Sequence, residues 1–177
     1  MNILGLRIDR DCTFRSHVRS LTARLRAKTW TLSKLRRRGL DQERLVHVYK
    51  SLIRPSVEYL APVWSSMITN EQSEMLERQQ VQALKNIFGT NLSANKLRDL
   101  ANIERLSSRR EKLSLSFATK ALNNPRCSSW FKQRNRPLYA RRKNTNYPLY
   151  EEKTARTDRY KNSPKNYLTR LLNRNLS

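Results

Sequence analysis

The stretch FRSHVRSLTARLRAKTWTLSKLRRRG, residues 14–39, decides the fold class. Its apolar side chains Phe14, Val18, Leu21, Leu25, Leu32 and Leu35 recur in steps of three, four and seven, which places them on one stripe of an α-helix. Gly39 stands just past the last turn, where a left-handed C-cap wants glycine. The whole chain has only three glycines, Gly5, Gly39 and Gly89, and the last two read as punctuation between helices.

Downstream the helical pattern continues. Asp41 is a candidate N-cap for a second helix in which Leu45, Val48, Tyr49, Leu52, Tyr59, Leu60 and Val63 share a face, kinked where Pro55 removes a backbone donor. Thr69 and Gln72 have the spacing of a capping box, and Leu76, Ala83, Leu84 and Ile87 form the stripe of a third helix ending at Gly89. Ser93 is positioned to cap a turn through Leu100. A fourth helix carries Leu106, Leu113, Phe117, Ala121 and Leu122 and stops before Pro125. Upstream, Ile3 to Asp9 alternates weakly and predicts a single short strand without a hairpin partner. From Asn123 to Lys161, Arg, Lys, Asn, Tyr and Pro mix without period, which predicts an extended and largely unpacked segment. Ser163 as N-cap and Pro164 at the first helical position announce a last short helix over about 163–174, with Tyr167, Leu168, Leu171 and Leu172 on its apolar side.

The expected fold is therefore mainly α: a bundle of three to four helices with one short N-terminal strand and an irregular basic tail ending in a short helix. The expected segments are a strand at 1–12, the bundle at 13–89, connecting helices at 90–124 and the tail at 125–177.

Charge narrows the function. Against 37 Lys and Arg stand 14 Asp and Glu, a net charge of +23. Such an excess repels itself, and a polyanion such as nucleic acid or an anionic membrane surface is the usual compensation. The excess is uneven: residues 1–39 hold 11 basic and two acidic side chains, 40–122 hold 12 and nine, and 123–177 hold 14 and three. Two distant cysteines, Cys12 and Cys127, do not build a disulfide framework of the secreted kind. No apolar run is long enough for a membrane span, and the first residues do not form a signal peptide. An intracellular protein, nuclear or cytoplasmic, with no membrane partner is expected. Residues 13–38 also have the Arg-rich, acid-free character of a mitochondrial presequence, against which Asp9 and Asp11 count.

Catalytic patterns are sparse. His17 and His47 lie on different helices with no nucleophile motif beside them. Zinc would need Cys12, His17, His47 and Cys127 to converge without any close-spaced pair. Asp9 and Asp11 fit turn bonding better than a magnesium site, and the isolated glycines build no phosphate loop. No catalytic residue and no metal ligand is assigned.

What remains is a cationic surface. At about 100° per residue from Phe14, Arg15, Arg19, Arg26 and Arg37 fall between about 100° and 140°, a narrow stripe beside the apolar face. Arg15 to Arg37 spans roughly 33 Å at about 1.5 Å per residue, close to one turn of a nucleic-acid duplex. Trp30, near about 160° on the same scale, is placed to stack on a sugar or base. The Arg36-Arg37-Arg38 run suits phosphate contact, helix-end stabilisation or nuclear import. Arg141-Arg142-Lys143, with Tyr139 and Tyr147 alongside, has the composition of a polycation that settles onto nucleic acid, or of a solvated linker.

Several blocks, in order, resemble the end of the reverse transcriptase of non-LTR (LINE-type, Jockey-like) retrotransposons. Leu4-Gly5-Leu6-Arg7-Ile8-Asp9 with Phe14 and His17 resembles the strand that closes the polymerase palm and leads into the thumb. Val48-Tyr49-Lys50-Ser51-Leu52-Ile53-Arg54-Pro55, continuing to Glu58-Tyr59 and Ala61-Pro62-Val63-Trp64, is similar to the family's thumb helix. Leu76-Glu77-Arg78-Gln79-Gln80 through Ile87-Phe88-Gly89 resembles the next thumb helix. Arg109-Arg110 with Leu113, Phe117 and Asn123-Asn124-Pro125 is similar to the post-polymerase region. Ala155-Arg156-Thr157, Arg159-Tyr160 and Tyr167-Leu168 to Leu171-Leu172-Asn173 resemble the C-terminal end. Phe14 stands where tryptophan is common, and the terminal zinc knuckle of some relatives has no counterpart.

The resemblance implies a thumb that holds an RNA/DNA primer-template duplex by its backbone through Arg15, Arg19, Arg26, Trp30, Arg36, Arg37 and Arg38, with Lys50 and Arg54 extending the grip. It implies that the metal-binding aspartates, including a Tyr/Phe-x-Asp-Asp motif absent from these 177 residues, belong upstream of Met1. Magnesium then belongs to the palm and not to this chain, which alone is no enzyme; the polymerase portion would be a further partner. Tyr59 and Trp64, large aromatics beside the kink at Pro55, are read as packing residues of the bundle. A small basic structural RNA-binding protein and a non-functional truncated retroelement copy are the competing readings.

Overall fold

The apolar stripe of residues 14–39 forms a 23-residue helix, α1 (Arg15–Arg37), in the computed structural model, which describes residues 1–134 and 148–176. The fold is mainly α, as expected. Helix α1 opens without a side-chain cap of its own, since Phe14 sits in the left-handed region at φ 51°. Asp9 substitutes from seven residues upstream: its carboxylate accepts from the Ser16 N–H at 3.1 Å, from the Ser16 hydroxyl, and from Thr13 Oγ1 at 3.3 Å. The local turn role expected of Asp9 is thus the start of the longest helix. At the far end Gly39 takes φ 89°.

The N-terminal segment is not the single strand expected. It is a hairpin of two two-residue strands, β1 (Asn2–Ile3) and β2 (Leu6–Arg7), antiparallel with Asn2 opposite Arg7. Leu4 at φ 50° and Gly5 at φ 82° supply the left-handed pair of a tight turn. The weak alternation hid this, because a turn at residues 4 and 5 falls in the middle of the pattern.

Helix α2 (Gln42–Val48) begins at Asp41, whose side chain accepts from the Arg44 N–H at 2.7 Å. It passes into a π-helical segment, Tyr49–Ile53, and then α3 (Arg54–Glu58), with Pro55 in the first turn. Proline has no N–H to give and its ring crowds the carbonyl four residues back, and a widened turn absorbs both defects. The bend expected at Pro55 is therefore a π segment, and it changes which side chains point inward. The buried set is Leu45, Tyr49, Ile53, Val57 and Ala61, a strict four-residue step, whereas Leu52, Tyr59 and Val63 of the expected face are exposed. Tyr59 is not a packing residue; its hydroxyl donates to the Leu4 carbonyl at 3.2 Å. Trp64, in the short helix α4 (Ala61–Trp64), is fully buried as expected.

Helix α5 (Asn70–Phe88) carries the complete capping box: Gln72 N–H donates to Thr69 Oγ1 at 3.2 Å and Thr69 N–H to Gln72 Oε1 at 2.8 Å. It ends at Gly89, φ 66°. Helices α1 and α5 run side by side in the same direction: Asn86 Nδ2 donates to the Thr29 carbonyl near their C-terminal ends, while Arg15 and Arg19 share a cleft with Thr69 and Met75 near their N-terminal ends.

Helix α6 (Ala94–Ala101) and the start of α7 (Leu106–Leu122) are fastened to α5 by a buried polar knot. Arg98 donates to Gln80 Oε1 at 2.9 Å and to Glu77 Oε2 at 3.1 Å; Glu77 Oε1 accepts the Ser107 N–H at 2.8 Å; Gln80 Nε2 donates to the Glu104 carbonyl at 3.0 Å. Tyr49, also bonded to Gln80, is pushed up to about 12 by burial and stays neutral.

The chain divides into two compact units, residues 1–61 with 68–110, and residues 62–67 with 111–177. The second has its own core of Ala118, Ala121, Phe131, Tyr150, Leu168 and Leu172. Phe131 and Tyr150 meet edge to face at 6.2 Å, and Asn173 donates to the Tyr150 carbonyl at 3.1 Å while accepting its N–H at 2.9 Å. The expectation of an unpacked segment over 123–161 is therefore corrected on its described residues: a 3-10 turn (Ser128–Trp130), an isolated bridge between Gln133 and Tyr150 and a short helix, α8 (Asp158–Lys161), lie within it. Phe117, expected on the buried side of α7, is exposed; Ser114, Ala118 and Ala121 take that side. The last helix, α9 (Pro164–Leu176), starts where Ser163-Pro164 announced it. The cluster Arg141-Arg142-Lys143 with Tyr139 and Tyr147 lies outside the described residues.

Candidate nucleic-acid interface

With so few acids, which cations they neutralise is the first question about the surface. Asp41 pairs with Arg44, Glu74 with Arg105, Glu77 with Arg98, Glu111 with Arg174 and Glu151 with Lys132. Glu58 takes two, Arg54 at 3.3 Å and Arg109 at 2.9 Å, and its bonds hold Arg109 even more firmly protonated than usual. Helix α1 contains no acid at all. Among the described residues Arg15, Arg19, Arg26, Arg37 and Arg38 have no acidic partner, and all five are exposed. Arginine is always charged and presents a planar fork suited to phosphate oxygens.

The remaining expected site residues are placed differently. Trp30 is exposed on the same helix, but Lys34 Nζ lies 3.5 Å from its ring centroid, so a cation already occupies an indole face. Arg36 Nη1 donates to the Asn86 carbonyl at 3.3 Å and its guanidinium fills the space a Cβ at Gly89 would need. It closes the C-terminal end of α5 as well as belonging to the basic run. Lys50, half-buried, sits in the π segment, and Arg54 is tied to Glu58. The free part of the expected set is thus Arg15, Arg19, Arg26, Arg37 and Arg38.

Arg15 and Arg19 also line a cleft of about 280 Å³ with Thr69, Glu71 and Met75. Two further cations, Arg78 and Lys85 of α5, were not marked by the sequence and make no ion pair among the described residues. They sit seven residues apart on the polar face of a helix whose apolar stripe drew the attention.

A two-metal centre of the kind that transfers nucleotides needs converging carboxylates. Among the described residues no group of three or more His, Cys, Asp or Glu comes together, and Asp9 is committed to capping α1, which holds its carboxyl below the usual range through the bond from Ser16. Among the described residues no helix is long and apolar enough to cross a membrane. No protein-family model, curated protein or solved structure matches the chain.

Proposed function

We propose that the chain is the thumb and C-terminal part of a non-LTR retrotransposon reverse transcriptase, and that it holds an RNA/DNA duplex by its phosphate backbone without reading sequence. The observation that carries this is the unpaired arginine row on α1, a helix free of acids in a protein where Asp41, Glu58, Glu74, Glu77 and Glu111 pair with arginines elsewhere. A row of exposed guanidiniums over roughly 33 Å matches about one duplex turn, and such contacts give affinity rather than specificity. The ordered blocks around Tyr49–Pro55, Leu76–Gln80 and Tyr167–Asn173 supply the family. In this reading nucleotidyl transfer is carried out by carboxylates outside these residues, and the chain contributes grip alone.

The test is binding of the full chain to a mixed-sequence RNA/DNA hybrid across a salt series. Binding in dilute buffer, with affinity falling steeply as salt rises, is expected. Neutralising Arg15, Arg19 and Arg26 to Gln should flatten the log–log salt slope by roughly 2 to 3, at about 0.7 to 0.9 per lost phosphate contact. Equal affinity of wild type and triple variant, or a sharp preference for one RNA over unrelated duplexes, would overturn it.

A further inference from the structure

Between α5 and α6 lies a second cleft, of about 500 Å³, which the duplex grip does not use. Its floor is the buried Arg98–Glu77 pair, and Arg78, Gln82 and Lys85 of α5 and Asn95 of α6 stand along its walls. Arg105 lines it too, paired to Glu74. Four cations against two carboxylates leave the cleft positive, with Arg78 and Lys85 free of ion pairs among the described residues. Gln82, which lines the cleft, uses its amide nitrogen on Asn86 at 3.0 Å.

The position of this cleft relative to α1 gives it a use. On α5, Glu71 and Met75 face the cleft they share with Arg15 and Arg19, and at about 100° per residue Arg78 lies about 20° round the helix from Glu71 and about 60° from Met75. The same residue lines the α5–α6 cleft. Cations therefore continue from the α1 row across α5 at Arg78 and down to Lys85 without leaving the first unit. A duplex is about 20 Å wide and does not enter a space of this volume, whereas pockets of about 300 to 1,000 Å³ take ligands of nucleotide size.

We propose that the α5–α6 cleft receives the single strand that continues from the duplex held on α1, with Arg78 and Lys85 on its phosphates and Gln82 and Asn95 beside its bases. This rests on the duplex reading above and adds a second, structurally separate subsite. Flexible single strands fit a positively charged groove that tracks the backbone.

The experiment compares a blunt RNA/DNA hybrid with the same hybrid carrying a five-nucleotide single-stranded extension. Wild-type chain is expected to bind the extended probe several-fold more tightly, with a salt slope steeper by roughly 1.4 for two added contacts at about 0.7 each. The variant R78Q/K85Q should lose that preference, and R15Q/R19Q/R26Q should weaken on both probes while keeping it. K96Q/K120Q, which removes the same charge elsewhere, should behave as wild type. Absence of the preference in wild type, or its survival in R78Q/K85Q, overturns this inference alone. Loss of salt-sensitive binding to the blunt hybrid by none of the variants overturns the duplex reading beneath it. Far-ultraviolet circular dichroism of each variant separates lost contacts from lost fold.

Discussion

Glu77 shows how one carboxylate can be spent on structure. It is 2% exposed, yet both oxygens are used, one on Arg98 and one on the Ser107 N–H that opens the first turn of α7. Removing it strands a buried guanidinium. Glu77→Ala is therefore expected to cost about 3 to 5 kcal/mol in urea unfolding, the range for breaking a buried pair from one side. The double variant E77M/R98L should recover much of that loss, because no charge is left orphaned. His17 is the second residue whose chemistry is set by its surroundings. It is buried, its Nδ1 accepts the Arg7 N–H of β2, and burial, joined by the charges of Arg24 and Arg7 and opposed only by Asp9, lowers its pKa. The unfolded chain binds a proton below about pH 6.5 that the folded chain refuses, so stability is full above that value and falls as pH drops toward the depressed folded pKa. Urea midpoints at pH 7.5 and 5.0 check this; His17→Asn, which keeps an acceptor without a titrating ring, should narrow the difference. An unchanged difference in the variant would assign the acid sensitivity to other groups.

Among the elements, α5 was the most legible. Thr69, Gln72 and Gly89 are local signals, each acting on backbone within a few residues, so spacing alone located both ends. Thr69→Ala should lower stability by about 1 kcal/mol, read as a shift in urea midpoint with unchanged slope. The π segment was not legible, although Pro55 was. Proline fixes where a helix is disturbed but not how, and the choice of a widened turn over a sharp kink lets Tyr49, Ile53 and Val57 keep one inward face. The core of the second unit was illegible for a different reason. Phe131 and Tyr150 are 19 residues apart and are brought together by a bridge and by Asn173, contacts that leave no period in the sequence. In the candidate interface, the stripe on α1 followed from helical angle alone. That Arg54 pairs with Glu58, or that Arg36 reaches Asn86, depends on helices meeting in space and could not be read from either helix by itself.

At the scale of the molecule, the arginine row carries a stability cost that the fold does little to relieve. Helix α1 starts with Arg15 and has no acid in its first turn, so a cation sits at the positive end of the dipole. Arg15 and Arg19 are spaced four apart, a like-charge pair on one face. Asp9 offsets part of this from outside the helix, at a site set by the hairpin. A protein selected for stability alone would place Glu or Gln at position 15, where a helix start favours them. Arg15→Gln should therefore raise stability by about 0.5 kcal/mol, the usual size of one unfavourable dipole contact, and should make the melting temperature of the chain less responsive to added salt. The same substitution should weaken duplex binding and reduce the salt slope by roughly 0.7 to 0.9. Opposite signs for stability and binding are what a contact surface predicts, because the repulsion within the free chain is relieved only when a polyanion lies across it. If Arg15→Gln left binding untouched while stabilising the helix, position 15 would be a local electrostatic defect with no ligand, and the phosphate path would begin at Arg19.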